Sequence, residues 1–252
     1  MITSSPYNPP RWLRSPHLQS LIATSPVRRA RGAVLLRRSG AVSTPYIVDG
    51  GDGVRLEGVH SRLPGAAPRG LALLLHGWEG SAESSYMRLT AAHLLGAGFE
   101  VFRLNFRDHG DTHHLNQALF HSNRIDEVMN AATDVANRFL GGSSLDGSPR
   151  PMVVAGYSLG GNFALRVAMR ARAAGLPVQP LERFRRDADW IGVHRHLKVI
   201  GIFARLNHRD AKPKYLADAP RFLAYLDGVV PKYPELAPLG ELLGRHVRPT
   251  FA

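Results

Sequence analysis

The run from Pro151 to Gly161, PMVVAGYSLGG, places a serine where chemistry can reach it. Val153, Val154 and Ala155 form a short apolar stretch of buried-strand type, and it opens straight into Gly156-Tyr157-Ser158-Leu159-Gly160-Gly161. A serine hydroxyl becomes a useful nucleophile when a sharp strand-to-helix turn holds it in the open, and such a turn leaves no room for side chains on its flanks. Gly156 and Gly160 leave that room. By itself the pentapeptide also fits a plain glycine-flanked turn. Its context favours the nucleophile: the following NFALRVAMRARAAG sets Phe163, Leu165, Val167, Ala168 and Met169 at helix-like spacing and stops at Gly175, so strand, turn and helix come in the required order.

A second element, Leu73-Leu74-Leu75-His76-Gly77-Trp78-Glu79-Gly80, ends a buried-strand run in His-Gly ahead of a helix. Attack on an acyl carbonyl needs two backbone N–H donors for the developing oxyanion, and this loop is where one of them would originate. The expected donors are Trp78 N–H and Leu159 N–H. His76 reads as a structural imidazole bonding loop backbone rather than as the base, because the catalytic His follows the Ser in this chain order. Trp78 and Tyr157 also fit an apolar pocket wall, which is compatible with donation through the backbone.

The third element runs Asn105-Phe106-Arg107-Asp108-His109-Gly110-Asp111-Thr112-His113-His114-Leu115-Asn116. Three histidines and two aspartates raise the thought of a metal, but no spacing here matches a ligand pattern, so a hydrogen-bond network ordering a loop at the rim of the site is expected instead. The same stretch contains H-G-D-x-x-x-x-N, which looks like a catalytic loop of aminoglycoside-type kinases. That chemistry needs an upstream lysine to pair phosphates, and no lysine precedes Lys198.

These loops need strands and helices to hold them. TPYIVDG, VRLEGVHSR, GLALLLHG, EVFRLNF and PMVVAGYS read as strands, and Ser84 to Gly96 and Arg124 to Leu140 as helices between the later ones. Such alternation predicts a mostly parallel sheet with helices on both faces, preceded by an antiparallel edge. Pro6, Pro9, Pro10 and Pro16 predict an irregular, extended N-terminal segment, and Gly141 to Arg150 a loop. The 252 residues suffice for one α/β domain. The 32 Lys and Arg against 20 Asp and Glu give a formal charge of +12, but the basic residues sit singly or in short clusters such as Arg28-Arg29-Ala30-Arg31 and Arg37-Arg38. A solvated basic surface is expected, and no nucleic-acid partner. With no cysteine, thiol nucleophiles, disulfides and Cys-based metal sites are excluded. No apolar leader or run of ~18 apolar residues is present, so a cytoplasmic chain is expected, with peripheral membrane contact still open.

Taken together, PPRWLRSPHLQS, LHGWEGS, NFRDHGDTHHLN with LFHSNRIDEV after it, and GYSLGGN resemble the YheT-like branch of the α/β-hydrolases, from about residue 7 to 178. The resemblance implies the α/β-hydrolase fold and a serine carboxylic-ester hydrolase acting on a small-molecule or lipid ester. Ser158 is then the nucleophile, Trp78 and Leu159 the oxyanion donors, and Gly156, Gly160, Gly161, His76 and Gly77 the supports of elbow and loop. Neither metal nor organic cofactor is implied.

The pattern breaks after the elbow helix. Such a fold continues with further strands, an acid at the end of one and a His after the last. This chain continues with Gln179-Pro180-Leu181-Glu182-Arg183-Phe184-Arg185-Arg186-Asp187, which is polar and helix-like. Asp187, Asp189, Asp210, Asp218 and Asp227 are the later aspartates and His194, His196, His208 and His246 the later imidazoles, none of them in a strand-end setting, so the triad acid and base are unassigned. Apolar positions at Leu197, Ile200, Phe203, Ala204 and Leu206 favour a helix, with two more at Asp218 to Val230 and Pro234 to Leu243. This tail, from about residue 181, is similar to the C-terminal helices of aminoglycoside phosphotransferase-like sugar kinases. The expected organisation is therefore residues 1–180 as the front of a hydrolase, its sheet truncated, and 181–252 as a helical tail of different origin in a chimeric or mis-joined chain. Besides the esterase, a catalytically defective remnant and a fragment of a phosphotransferase are the alternative readings.

Overall fold

The computed structural model describes residues 10–250 apart from Thr24, Ala66, 143–148 and Gln179. Pro6, Pro9, the Tyr7 end of the family resemblance and most of the 141–150 loop lie outside the described residues. The chain divides into two compact units, Met1–Val178 and Gln179–Ala252.

The first unit is built on a five-stranded sheet: β1 (Val42–Asp49), β2 (Arg55–Arg62), β3 (Gly70–Leu75), β4 (Phe99–Leu104) and β5 (Met152–Gly156), in the order β1-β2-β4-β3-β5. The pairings β1–β2 and β2–β4 are antiparallel, and β4–β3 and β3–β5 parallel. The sheet is thus evenly mixed rather than mostly parallel, because among the described residues no strand follows β5. β3, GLALLL, is apolar throughout because it is buried on both faces between two strands. Register decides where the loops go: Leu75 is level with both Leu104 and Gly156, so the residues after β3, β4 and β5 emerge together at one end of the sheet.

Alternate residues of β3 feed two cores. Leu71, Leu73 and Leu75 join Phe102 and Leu104 against α4 (Ile125–Phe139) and α5 (Leu159–Arg170), through Val128, Ala132, Val135, Phe163 and Val167. Ala72, Leu74 and Val101 face the other way, onto Met87, Ala91 and Leu95 of α3 (Ser85–Gly96) and Leu36 of α2 (Pro26–Arg38). The amphipathic spacing of α4, apolar at Val128, Ala131, Ala132 and Val135, gives it one buried face.

The extended N-terminal segment expected from the prolines is corrected by two helices, α1 (Pro16–Ala23) and α2. Both begin on a proline. At the first helical position the missing N–H has no intrahelical partner to lose and the fixed φ is already helical, so these prolines start helices.

The second unit is helical: α6 (Leu181–His208), a 3₁₀ segment (Pro213–Asp218), α7 (Ala219–Val229) and α8 (Ala237–Leu242). The polar opening of the tail and the apolar positions from Leu197 to Leu206 belong to one continuous helix, α6. Val193, Leu223, Leu226, Val230 and Leu243 form its own core.

Candidate active site

β5 runs into α5 through Ser158, whose backbone stands at φ 52°, ψ −113°. An L-residue rarely adopts this conformation, and strain of this kind costs of order 1–3 kcal/mol. Three contacts fix it: Tyr157 N–H donates to Leu75 O at 3.0 Å, Gly160 N–H to Tyr157 O at 2.9 Å and Asn162 N–H to Ser158 O at 3.2 Å. The glycines are there for space. A Cβ on Gly156 would stand 2.1 Å from Gly160 O, and one on Gly160 2.2 Å from Leu75 O and 2.4 Å from His76 O. Gly161 is less tight, with Gly156 O at 3.2 Å. Ser158 itself is exposed, and its side chain does not cap α5.

The loop after β3 lies directly against this turn. A Cβ on Gly77 would be 3.5 Å from Ser158 Cβ and 3.2 Å from Tyr157 O. His76 is fully buried and spends both ring nitrogens on backbone: Nδ1 on Gly77 O at 2.7 Å, and Nε2 accepting from Phe106 N–H at 3.1 Å. Only neutral imidazole with the proton on Nδ1 satisfies both. Burial pushes His76 down from its ordinary value to about 4, opposed by its bond to Gly77 O and helped by neighbouring His109. The imidazole ties the β3 and β4 loops together. Trp78 N–H and Leu159 N–H, beside Gly77 and Ser158, donate to no group among the described residues.

The loop after β4 carries an internal network of the kind its polar residues predict. His109 Nδ1 bonds Arg107 O at 2.8 Å, Thr112 Oγ1 donates to His109 O at 2.7 Å, and His113 Nδ1 pairs with Asp108 Oδ1. Arg107 is buried and anchors the loop to α4 by two bonds to Glu127, at 3.0 and 2.7 Å. Asn105 Oδ1 accepts from Ala82 N–H at 2.6 Å. Glu79 and Asp108, like Ser158, have φ near +55°, so each of the three strand-end loops holds a non-glycine residue in the left-handed half of the map.

A model of the alpha/beta hydrolase family matches residues 72–250, from within β3 through the elbow and into the second unit. The chain belongs to the alpha/beta hydrolase family. Solved structures similar to this chain include an esterase of Pyrococcus furiosus, 20% identical with a TM-score of 0.44 over 54% of this chain and 49% of the other. An esterase of Pyrobaculum calidifontis is also 20% identical, with a TM-score of 0.44 over 66% and 55%. Among curated proteins, the N-acetylmuramate/N-acetylglucosamine kinase of Pseudomonas putida is 60% identical over 75 residues, 29% of this chain and 22% of that protein. Its counterpart in Neisseria meningitidis serogroup B is 54% identical over 83 residues, 32% of this chain and 25% of that protein. The chain thus spans about a quarter or less of these curated relatives' length.

The strand ends bring Ser158, Gly156, Gly160, Gly161, His76, Gly77, Trp78 and Leu159 to one end of the sheet. Within the first unit no described histidine bonds the Ser158 hydroxyl: His76, His109 and His113 are bonded to Gly77 O, Arg107 O and Asp108. Several of the later acids are engaged inside the second unit, Asp189 accepting from Tyr233 Oη at 2.8 Å, Asp210 from Arg209 Nε at 2.6 Å and Asp227 pairing with Arg248. Tyr86 is a support that no motif announces. Its hydroxyl accepts from Gly77 N–H at 3.0 Å, a contact made by packing of α3 that no spacing in the sequence encodes. No helix among the described residues is long and apolar enough to cross a membrane.

Proposed function

We propose that the chain is a serine carboxylic-ester hydrolase of YheT-like type, cytoplasmic and acting on a small-molecule or lipid ester, with Ser158 as nucleophile. The observation that carries this reading is the strained, exposed Ser158 held on a turn where Cβ atoms at Gly156 and Gly160 would collide with backbone. In the proposed reaction Ser158 Oγ bonds to the acyl carbon, Trp78 N–H and Leu159 N–H hold the oxygen as it gains charge, and the bond to the alcohol oxygen breaks. The serine proton leaves with the alcohol. The acyl group then passes to water.

A fluorophosphonate tests the nucleophile, because Ser Oγ displaces fluoride from phosphorus and stays bonded there. Intact-mass spectrometry is expected to show one adduct on the wild type and none on Ser158→Ala. Equal labelling of the two overturns the assignment.

A second reading, a catalytically defective hydrolase, is favoured by the chain after α5, where none of the later aspartates or histidines stands in a strand-end setting and no strand follows β5 among the described residues. Losing the base of such a triad costs ~10⁴ or more in turnover. Steady release of p-nitrophenol from p-nitrophenyl butyrate that Ser158→Ala abolishes supports the active enzyme, and release by soluble, folded wild type no faster than by Ser158→Ala supports the defective one. We place the kinase-like segment, about the size of the second unit, at residues 181 onward on the resemblance carried by DADWIGVHRHLKVIGIF, as a helical tail to which no phosphotransfer role is carried over.

A further inference from the structure

The aromatic residues beside Ser158 form a continuous assembly that the nucleophile and its oxyanion donors leave unused. Trp78 follows Gly77, the residue in contact with the elbow, and is 60% exposed as a residue. Its ring meets Phe120 at 5.9 Å and 63° and His109 at 6.4 Å and 81°. Phe120, half-buried, stands over Phe106 at 5.6 Å, nearly parallel, and over Phe163 at 6.0 Å, while His109 meets it edge-on at 4.9 Å. Phe106 and Phe163 are themselves 4.9 Å apart and fully buried. Phe163 lies in α5, the helix that starts at the residue after Ser158. The assembly is therefore anchored in the first core and surfaces at Trp78, in the loop that lies against Ser158.

An exposed indole costs free energy in water unless something covers it, and apolar surface open beside a reactive group marks where a ligand lies. With the Trp78 N–H at the carbonyl oxygen, the exposed Trp78 side chain is within reach of a group carried by that carbonyl carbon. Two rings inclined at 63°, one of them on an exposed residue, favour a third ring, because edge-to-face and offset contacts add attraction beyond area burial.

We infer that Trp78 and Phe120, seated on Phe106 and Phe163, form a subsite for a flat aromatic acyl group of the ester bound at Ser158. This rests on Ser158 being the nucleophile. The acyl group is the part that remains on Ser158 between the two half-reactions, so a ring fixed beside the oxyanion donors serves both.

Fluorophosphonates carrying methyl, hexyl or phenyl on phosphorus share fluoride as leaving group and differ only in the group retained on the serine. Labelling rates read by mass spectrometry are expected to be about tenfold higher for phenyl than for methyl, the equivalent of one favourable ring contact, with hexyl below phenyl. The phenyl-to-methyl ratio is expected to fall close to one in Trp78→Ala and about threefold in Phe120→Leu, a ratio that cancels any general change in reactivity. Labelling of Ser158 with equal rates for the three probes overturns the subsite and leaves the nucleophile standing. So does a phenyl preference that survives both substitutions. Hexyl outrunning phenyl replaces the aromatic group by an aliphatic chain and overturns the inference. Undiminished labelling of Ser158→Ala removes the nucleophile and the subsite with it.

Discussion

His76 is spent twice, as a donor to Gly77 O and as an acceptor from Phe106 N–H, and that makes the β3 loop depend on its staying neutral. Its value in the folded protein, about 4, lies below the 6.5 of a free imidazole, so between those values the unfolded chain binds more protons. Stability is then full above about pH 6.5 and lost as pH falls toward 4, by roughly 3 kcal/mol over the window. Urea unfolding at a series of pH values should show that slope in the wild type and a flatter one in His76→Gln, where the titrating group is gone. An unchanged slope in the variant places the titration elsewhere. At the same scale, Ser158 and its glycines are legible in the chain because sterics force the residue types. Tyr86 is not, since its hydroxyl meets Gly77 only through tertiary packing.

Among the elements, the elbow depends on how closely α5 approaches β3. The first turn of the helix lies so near the strand that a methyl at Gly160 would overlap Leu75 O and His76 O, whereas one at Gly161 meets Gly156 O only at a tight van der Waals distance. Gly160→Ala should therefore cost more than about 3 kcal/mol by forcing helix and strand apart. Gly161→Ala should cost less than about 1 kcal/mol, the better helix propensity of alanine offsetting the contact. Thermal denaturation of the two variants reads the contrast, and similar losses in both contradict the asymmetry. The strands and the helices α3 and α4 were legible in their apolar periods. The N-terminal helices were not: a run of prolines reads as extended chain until one sees that Pro16 and Pro26 each occupy a first helical position.

On the scale of the whole molecule, the chain holds one mixed sheet with two cores and, in the second unit, a separate helical core around Leu226. Leu226 is fully buried, so Leu226→Ala should destabilise its unit by about 2–4 kcal/mol through the cavity it leaves. Trp190 lies in that unit. Its fluorescence, followed in a variant with Trp12 and Trp78 changed to Phe, should report the loss as an earlier midpoint in urea, and an unmoved midpoint means that Leu226 does not hold this core.

The sequence alone determined that a strand, a glycine turn and a helix would present Ser158, because only small residues can flank so sharp a turn. It also determined that no strand pattern follows the elbow helix. Only the tertiary structure decided that Leu104, Leu75 and Gly156 end level, which sends three loops from distant stretches of chain to one end of the sheet. That convergence lets His76 join two loops and brings Trp78, Phe120, Phe106 and Phe163 into contact with one another. The reason is physical: local sterics and periodicity are written over neighbouring residues, while contacts between loops depend on strand order and register, which the chain settles only as it packs.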